Sequence, residues 1–244
     1  MKIKSIILSM AAFAMAGTTH ATIVFSEDFG VLDNGTTITT SNTDLTYVRI
    51  GTQGGGIEAL NPSTVGTGAS ALITGPTGGS LNGIGVGSEL DFDSAPTITM
   101  AFDFKITDAS GTVVWGLGSG SSFTGNAGFN TSQGLGWFQA SGTDLQRREG
   151  GDWISMTDLS VNTAYAFFVS FNVADNTMSV TLDTDEIAEN VPVTTPGVDP
   201  DGIRIYSVNG SNIEVDNIEL TAIPEPATAL LGGLGLLALL RRRR

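Results

Sequence analysis

Apolar and polar residues alternate with a period of two along much of the chain. In residues 97–106 every second position is large and apolar: Ile98, Met100, Phe102, Phe104 and Ile106. The same alternation recurs in residues 165–173 and 178–182, and Ala174–Thr177 between them fits a four-residue hairpin connection. Because successive side chains of a strand point to opposite faces, this pattern predicts half-buried β-strands.

Further strands are predicted where short β-branched and aromatic runs lie between turn-rich segments. These runs are TIVFSEDF, TYVRI, TVVWGLGS, LGWFQAS, IRIYSV and IEVDNIEL. In the last run the apolar phase changes after Val215, which predicts a bulge near Asp216 and Asn217. The Gly-rich stretch 51–87 is interpreted as turns, since neither a P-loop Lys-Ser/Thr nor a helix follows it. The predicted fold is all-β, an antiparallel two-sheet sandwich.

The N-terminus has the pattern of a secretory signal peptide. Lys2 and Lys4 precede an apolar run, residues 6–16, and small residues lead to Ala21. Residues 1–21 are therefore predicted to be removed by signal peptidase after Ala21, with Ala16 as the alternative site. The apolar run is too short for a membrane-spanning anchor.

A short apolar segment lies near the C-terminus. Residues 227–240 are apolar or small, and they separate Pro224-Glu225-Pro226 from four arginines: Arg241, Arg242, Arg243 and Arg244. A helix of this length rises about 21 Å, short of a bilayer core of roughly 30 Å. The arginines would hold its end on the cytoplasmic side.

The three parts of this tail, in this order, resemble a PEP-CTERM sorting signal. The resemblance implies a Gram-negative host, transient anchoring in the inner membrane and removal of the tail by an exosortase. It also implies delivery to the cell surface or to an exopolysaccharide matrix. A permanent single-pass anchor is the alternative interpretation.

These signals divide the chain into a signal peptide, one β-sandwich domain at 22–222 and a sorting signal at 223–244. Between Thr22 and Ile223 there are 5 basic and 24 acidic residues, a net charge of −19. Such a surface repels nucleic acid and anionic membranes, so neither is predicted as a partner of the domain. The chain has no Cys, and its single His, His20, lies in the signal peptide. Thiol nucleophiles, His-based triads and the usual zinc or copper sites are therefore excluded from the domain.

Three segments of the body resemble laminin-G-like and concanavalin-like domains. Leu90–Ile106 resembles a short strand and turn leading into a long strand, and Phe167–Asp183 resembles a core hairpin. Phe25–Phe29 and Glu214–Leu220 resemble the paired first and last strands of such jelly rolls. The resemblance implies a jelly-roll sandwich and leaves the ligand open.

The segment ELDFD places Glu89, Asp91 and Asp93 at alternate positions. It resembles the E-x-D-x-E signature of retaining β-glucanases, in which two carboxyl groups act as nucleophile and general acid. The aspartate at the last position is one methylene shorter than the glutamate of the signature, so Asp93 departs from the position of the general acid. The preferred interpretation is a row of solvated acids on a strand, in a protein that is not an enzyme and needs no cofactor for catalysis. A divergent glycan hydrolase using Glu89 and Asp93 is the alternative.

A glycan-binding site is the other candidate. Sugar sites on sandwiches combine an exposed aromatic platform with hydrogen-bonding groups. Trp137 and Trp153 flank the polar excursion SGTDLQRREGGD, and Arg147 and Arg148 lie within it as donors. Trp115 alternates with apolar neighbours and is assigned to the core. This pattern predicts a structural or glycan-interacting protein, with exopolysaccharide as a partner.

A structural calcium site is predicted near the two ends of the domain. Glu27 and Asp28 lie on the first predicted strand and Asp216 on the last, and the two strands are expected to pair. Carboxylates and bulge carbonyls are the hard oxygen ligands that calcium prefers. The alternative is that these acids point separately into water.

Overall fold

The computed structural model describes residues 21–30, 32–49, 55–78, 80–87, 90–93, 95–119 and 133–224. Glu89, residues 1–20 of the predicted signal peptide and the predicted apolar helix 227–240 with its arginines lie outside these ranges. No helix within the described ranges is long and apolar enough to cross a membrane.

The described residues form β-strands joined by turns. The strands are β1 (Thr22–Glu27), β2 (Tyr47–Arg49), β3 (Gly56–Leu60), β4 (Ser70–Thr74), β5 (Leu81–Val86), β6 (Thr97–Asp108), β7 (Thr112–Gly118), β8 (Gly134–Ser141), β9 (Asp144–Glu149), β10 (Asp152–Asp158), β11 (Ala164–Asn172), β12 (Thr177–Leu182), β13 (Asp185–Pro192), β14 (Gly202–Val208) and β15 (Asn212–Ile223).

The strands build two antiparallel sheets. Sheet A has the order β13-β12-β11-β6-β15-β4-β3, and β1 also pairs with β15. Sheet B has the order β10-β9-β8-β7-β14-β5-β2. Inward-facing side chains of both sheets form one continuous core. The predicted all-β, two-sheet sandwich is therefore confirmed.

Aromatic rings join the two sheets at the centre of this core. The ring centroid of Phe102 on β6 lies 5.8 Å from that of Trp115 on β7, in an edge-to-face arrangement. Phe167 on β11 lies 5.4 Å from Trp115 and 5.1 Å from Phe138 on β8. Edge-to-face contacts of this kind add stability beyond the area they bury. The predicted core position of Trp115 is confirmed.

The Gly-rich stretch contains strands that the sequence pattern did not predict. β3, β4 and β5 all lie within residues 51–87, so their interpretation as turns is wrong. In β5 a Cβ on Gly85 would overlap the carbonyl oxygen of Ile203 on the neighbouring strand. Glycine permits this close backbone approach, and it leaves no side chain to show the period of two.

The segment SGTDLQRREGGD is also a strand region rather than a loop excursion. β9 lies within it, bounded by tight turns on both sides. β9 pairs with β8 and β10, so its residues alternate between the two faces of sheet B.

The pairing of the first and last strands is confirmed. Thr22 lies opposite Ala222, and the register continues to Glu27 opposite Ile218. The predicted bulge is also confirmed, because the register of β15 against β6 shifts after Asp216. Asn217, within the bulge, has a φ of 53°, a left-handed conformation that Asn tolerates better than most residues.

Candidate functional site

A second apolar cluster lies on the face of sheet B that points away from the core. Val113 and Trp115 face the core, so alternation places Val114 on the opposite face. There Val114 packs with Leu81 and Tyr206. The indole of Trp153 and the side chain of Val208 cover part of this cluster. We call this surface the outer face of sheet B.

Two arginine–aromatic pairs lie on the outer face of sheet B. The Cζ atom of Arg148 is 5.1 Å from the ring centroid of Trp153, and Cζ of Arg204 is 5.1 Å from that of Tyr206. Arg204 is fully buried and Tyr206 nearly so. Arg148 and Trp153 are half-buried cross-strand partners on β9 and β10. The pair formed by Arg148 and Trp153 is therefore the one that solvent reaches.

A chain of polar side chains runs beside this pair across three strands. Gln139 Nε2 donates to Gln146 Oε1 at 2.5 Å, and Gln146 Nε2 donates to Asp144 Oδ2 at 2.5 Å. Ser155 Oγ donates to the other oxygen of Asp144 at 2.6 Å. Gln146 and Arg148 are two residues apart on β9, so they share a face. Sequence reasoning missed these amides. Gln146 could have been found from its position two residues before Arg148, whereas Gln139 joins it only through the pairing of β8 with β9.

The prediction that Trp137 is an exposed platform for a sugar is wrong. Its side chain is fully buried. The indole lies against Gly116 and Gly134, where an added Cβ would overlap the ring. The two glycines leave room for the ring to lie flat against neighbouring strands of the sheet.

The prediction that Arg147 donates hydrogen bonds to a glycan beside Arg148 is wrong. It lies opposite Phe138, a core residue, and is only 9% exposed. Its guanidinium forms an ion pair with Glu149. Adjacent residues of a strand face opposite ways, so the basic pair is divided between the two faces of sheet B.

The predicted carboxylate row is not on a strand in its described part. Residues 90–93 form a turn before β6, and Asp93 has a φ of 49°. Asp91 Oδ1 accepts the amide of Asp93 at 2.8 Å. Both aspartates are exposed, whereas Leu90 and Phe92 are buried, which matches their interpretation as solvated acids. Glu89 lies outside the described residues.

Glu27 does not point towards a shared cation site. Its Oε1 accepts the amide of Phe29 at 2.7 Å and its Oε2 accepts the amide of Asp44 at 2.6 Å. Burial raises the pKa of Glu27, and the two amides partly oppose this rise. Glu27 therefore holds the chain that follows β1, and its inclusion among the calcium ligands is wrong.

Asp216 lies in a more unusual environment at the bulge of β15. It is fully buried, and its Oδ1 accepts the amide of Asn217 at 2.8 Å. Among the described residues no group meets the full hydrogen-bond geometry at Oδ2, although the hydroxyl of Ser63 lies close to the carboxylate. Burial raises the pKa of Asp216 to about 6; the amide of Asn217 and the hydroxyl of Ser63 partly oppose this rise, and the charges of Asp103 and Asp28 add to it. The side chain of Asn217 donates to Asp103 Oδ2 at 2.7 Å, so Asp103 belongs to this cluster.

The three predicted calcium ligands are not assembled as a set. Among the described residues, no group of three or more His, Cys, Asp or Glu side chains is placed to hold a metal ion. The remaining candidate ligand atom at the bulge is Oδ2 of Asp216, a hard carboxylate oxygen of the kind that calcium prefers.

The body of the chain is an antiparallel two-sheet sandwich, which fits the resemblance to laminin-G-like and concanavalin-like domains. Residues 222–244 match the family model of the PEP-CTERM protein-sorting motif. The predicted sorting signal is thereby confirmed. It marks a protein that is exported, processed by an exosortase and destined for the cell surface.

Solved structures share the sandwich at low sequence identity. A carbohydrate esterase from the Shiga toxin-encoding bacteriophage phi24B aligns with a TM-score of 0.56 at 12% identity, covering 84% of this chain and 100% of that one. A Trypanosoma rangeli sialidase in complex with 2,3-difluorosialic acid aligns with a TM-score of 0.53 at 12% identity, covering 83% of this chain and 31% of that one. A further sialidase has a TM-score of 0.51 at 8% identity, with coverage of 71% and 16%.

The chain thus spans less than a third of either sialidase. Likeness at this identity shows the fold alone. No curated protein matches the chain.

Proposed function

We propose that the protein is a non-catalytic, glycan-interacting component of the surface or exopolysaccharide matrix of a Gram-negative cell. It reaches this place after transient anchoring in the inner membrane and removal of its tail by the exosortase. Its glycan-binding surface is the part of the outer face of sheet B around Arg148 and Trp153 that solvent reaches. The observation that carries this proposal is the half-buried Trp153, stacked with Arg148 beside the amides of Gln139 and Gln146.

This arrangement has the two parts that sugar recognition needs. The apolar face of an indole packs against the C–H groups of a pyranose ring, and neighbouring amides and guanidinium groups bind its hydroxyls. Trp115 and Trp137 are fully buried, so Trp153 is the tryptophan that a ligand can contact. Its strand, β10, lies at the edge of sheet B, where a polymer can approach from the side.

The non-catalytic part of the proposal is supported by the segment before β6. Asp91 and Asp93 are exposed turn residues, and retaining hydrolysis needs two carboxyl groups held about 5 Å apart around the sugar. Incubation of the purified protein with β-glucans tests this part. Release of reducing ends that disappears in Glu89→Gln would establish the hydrolase instead.

Glycan-array binding of the purified full-length chain tests the binding surface. We expect Trp153→Ala to lose about 5- to 30-fold in affinity for any glycan that the wild type binds, because aromatic stacking contributes on the order of 1–2 kcal/mol. Phe168→Ala is the matched control, since Phe168 is an aromatic residue of sheet A that is 41% exposed. Equal loss in both variants, or undiminished binding by Trp153→Ala, would refute the proposed surface.

A further inference from the structure

Basic residues are unevenly distributed between the two sheets. The five basic residues between Thr22 and Ile223 include one in sheet A, Lys105, which pairs with Glu214. The other four are all in sheet B: Arg49, Arg147, Arg148 and Arg204. In a domain with 24 acidic residues this is a marked segregation of charge.

Acidic residues show the opposite distribution. Five of the seven strands of sheet B contain no Asp or Glu: β2, β5, β7, β8 and β14. β9 and β10 hold four: Asp144, which accepts from Gln146 and Ser155, Glu149, which pairs with Arg147, and the exposed Asp152 and Asp158. Sheet B therefore carries the least negative surface of a strongly acidic protein.

Of the two arginines that stack on aromatic rings of the outer face of sheet B, Arg148 is the one that solvent reaches, since Arg204 is fully buried. In the part of the chain that the structure describes, Arg148 takes part in no ion pair, and its buried Nε has no hydrogen-bond partner. A partly desolvated cation without a counter-charge is unfavourable. A carboxylate would remove this cost, since it matches the planar guanidinium with two parallel hydrogen bonds.

Resting on the proposed function, we propose that the ligand of the outer face of sheet B is a carboxylate-bearing polysaccharide, such as a polyuronate. Its carboxylate pairs with Arg148 while the sugar ring stacks on Trp153. The acidic remainder of the protein does not prevent this contact, because charges are screened beyond about 8–10 Å at physiological ionic strength. It disfavours contact of the polyanion with the other surfaces and so orients binding.

Polygalacturonate and the same polymer after reduction of its carboxyl groups provide a matched pair of probes. We expect the full-length chain to bind polygalacturonate about tenfold more tightly than the reduced polymer. The reason is that one charge-assisted hydrogen-bonded pair contributes enough free energy for a tenfold difference in affinity. Arg148→Gln should abolish this preference. Arg147→Gln should retain it, because Arg147 faces the other side of the same strand. Circular dichroism would check that both variants are folded.

Salt dependence keeps the test decisive if Arg148→Gln does not fold. Raising the salt concentration from about 50 to 200 mM should weaken wild-type binding to polygalacturonate and leave binding to the reduced polymer unchanged. Equal, Trp153-dependent affinity for the two polymers would overturn the carboxylate preference and preserve the proposed function. Absence of binding to both polymers, together with a negative glycan array, would contradict both proposals.

Discussion

Lys105 on β6 and Glu214 on β15 are cross-strand partners whose side chains form an ion pair of 2.8 Å. Glu214 is fully buried. It also accepts hydrogen bonds from Ser70 Oγ at 2.6 Å and from the amide of Thr64 at 2.8 Å. Burial by itself raises the pKa of Glu214, but the bonds from Lys105, Ser70 and Thr64 together hold it below its ordinary value. Both oxygens of the buried Glu214 carboxylate therefore have partners, and Glu214 holds the segment around Thr64 against the middle of sheet A.

Lys105→Met should destabilise the fold strongly. It leaves Glu214 charged and buried without its cation, a change that costs about 3–5 kcal/mol. Urea denaturation at pH 7 measures the loss, and Lys105→Met combined with Glu214→Leu should recover most of it. An unchanged midpoint in the single variant would show that the ion pair does not stabilise sheet A.

The stability that Glu214 contributes should disappear in acid. Its folded pKa lies below the ordinary 4.5, so the unfolded state takes up the proton first as the pH falls. The contribution is complete above about pH 4.5 and is lost as the pH falls through the folded value. The difference in free energy of unfolding between wild type and Glu214→Gln should shrink below pH 4. A difference that stays constant from pH 7 to pH 3 contradicts this assignment.

Asp216 should show the opposite pH dependence. Its folded pKa is about 6, above the ordinary 3.8, so the folded state holds the proton more tightly. The protonated carboxyl favours folding at low pH, and this advantage is lost as the pH rises from about 4 to 6. Asp216→Asn should therefore raise the free energy of unfolding at pH 7 by roughly 1–2 kcal/mol, and the melting temperature with it. At pH 4 the substitution should have little effect. Calorimetry at the two pH values decides it, and equal shifts at both would exclude the carboxylate's charge as the cause.

Calcium bound at Asp216 should offset the unfavourable negative charge of its buried carboxylate. Millimolar calcium is expected to raise the melting temperature of the wild type, since a cation that binds only the folded form stabilises it, and a chelator should reverse the shift. Asp216→Asn should not respond. Glu27→Gln is the control and should still respond, because the Glu27 oxygens accept backbone amides. An absent shift in the wild type, or an equal shift in Asp216→Asn, would eliminate the site.

Deletion of residues 227–244 should abolish tail removal and surface retention. Pro224→Ala combined with Pro226→Ala should slow the removal, since both prolines lie in the segment that matches the sorting motif. Mass spectrometry of the mature protein gives its C-terminus directly. Surface-located protein that still ends in the arginines would disprove processing.

Regular alternation made the long strands predictable from the sequence. β6 and β11 bury the apolar stripes that the pattern assigned to the core, and the phase change after Val215 located the bulge of β15. These are local properties of one strand, and a period of two is visible without knowledge of its neighbours.

The burial of individual aromatic residues was not predictable in this way. Trp137 and Trp153 flank the same segment, yet Trp137 is fully buried, with its ring flat against Gly116 and Gly134. That relation joins residues far apart in sequence. Arg147 and Arg148 could be separated only once their segment was known to be a strand, since alternation then sends them to opposite faces.

Fluorescence quenching tests glycan binding at Trp153 most directly. Trp115 and Trp137 are fully buried and Trp153 is half-buried, so acrylamide quenches chiefly the emission of Trp153. A saturating glycan is predicted to lower the quenching constant of the wild type to that of Trp153→Phe, and to leave the variant unchanged. A wild-type quenching constant that is unaffected by saturating glycan would contradict binding on the outer face of sheet B.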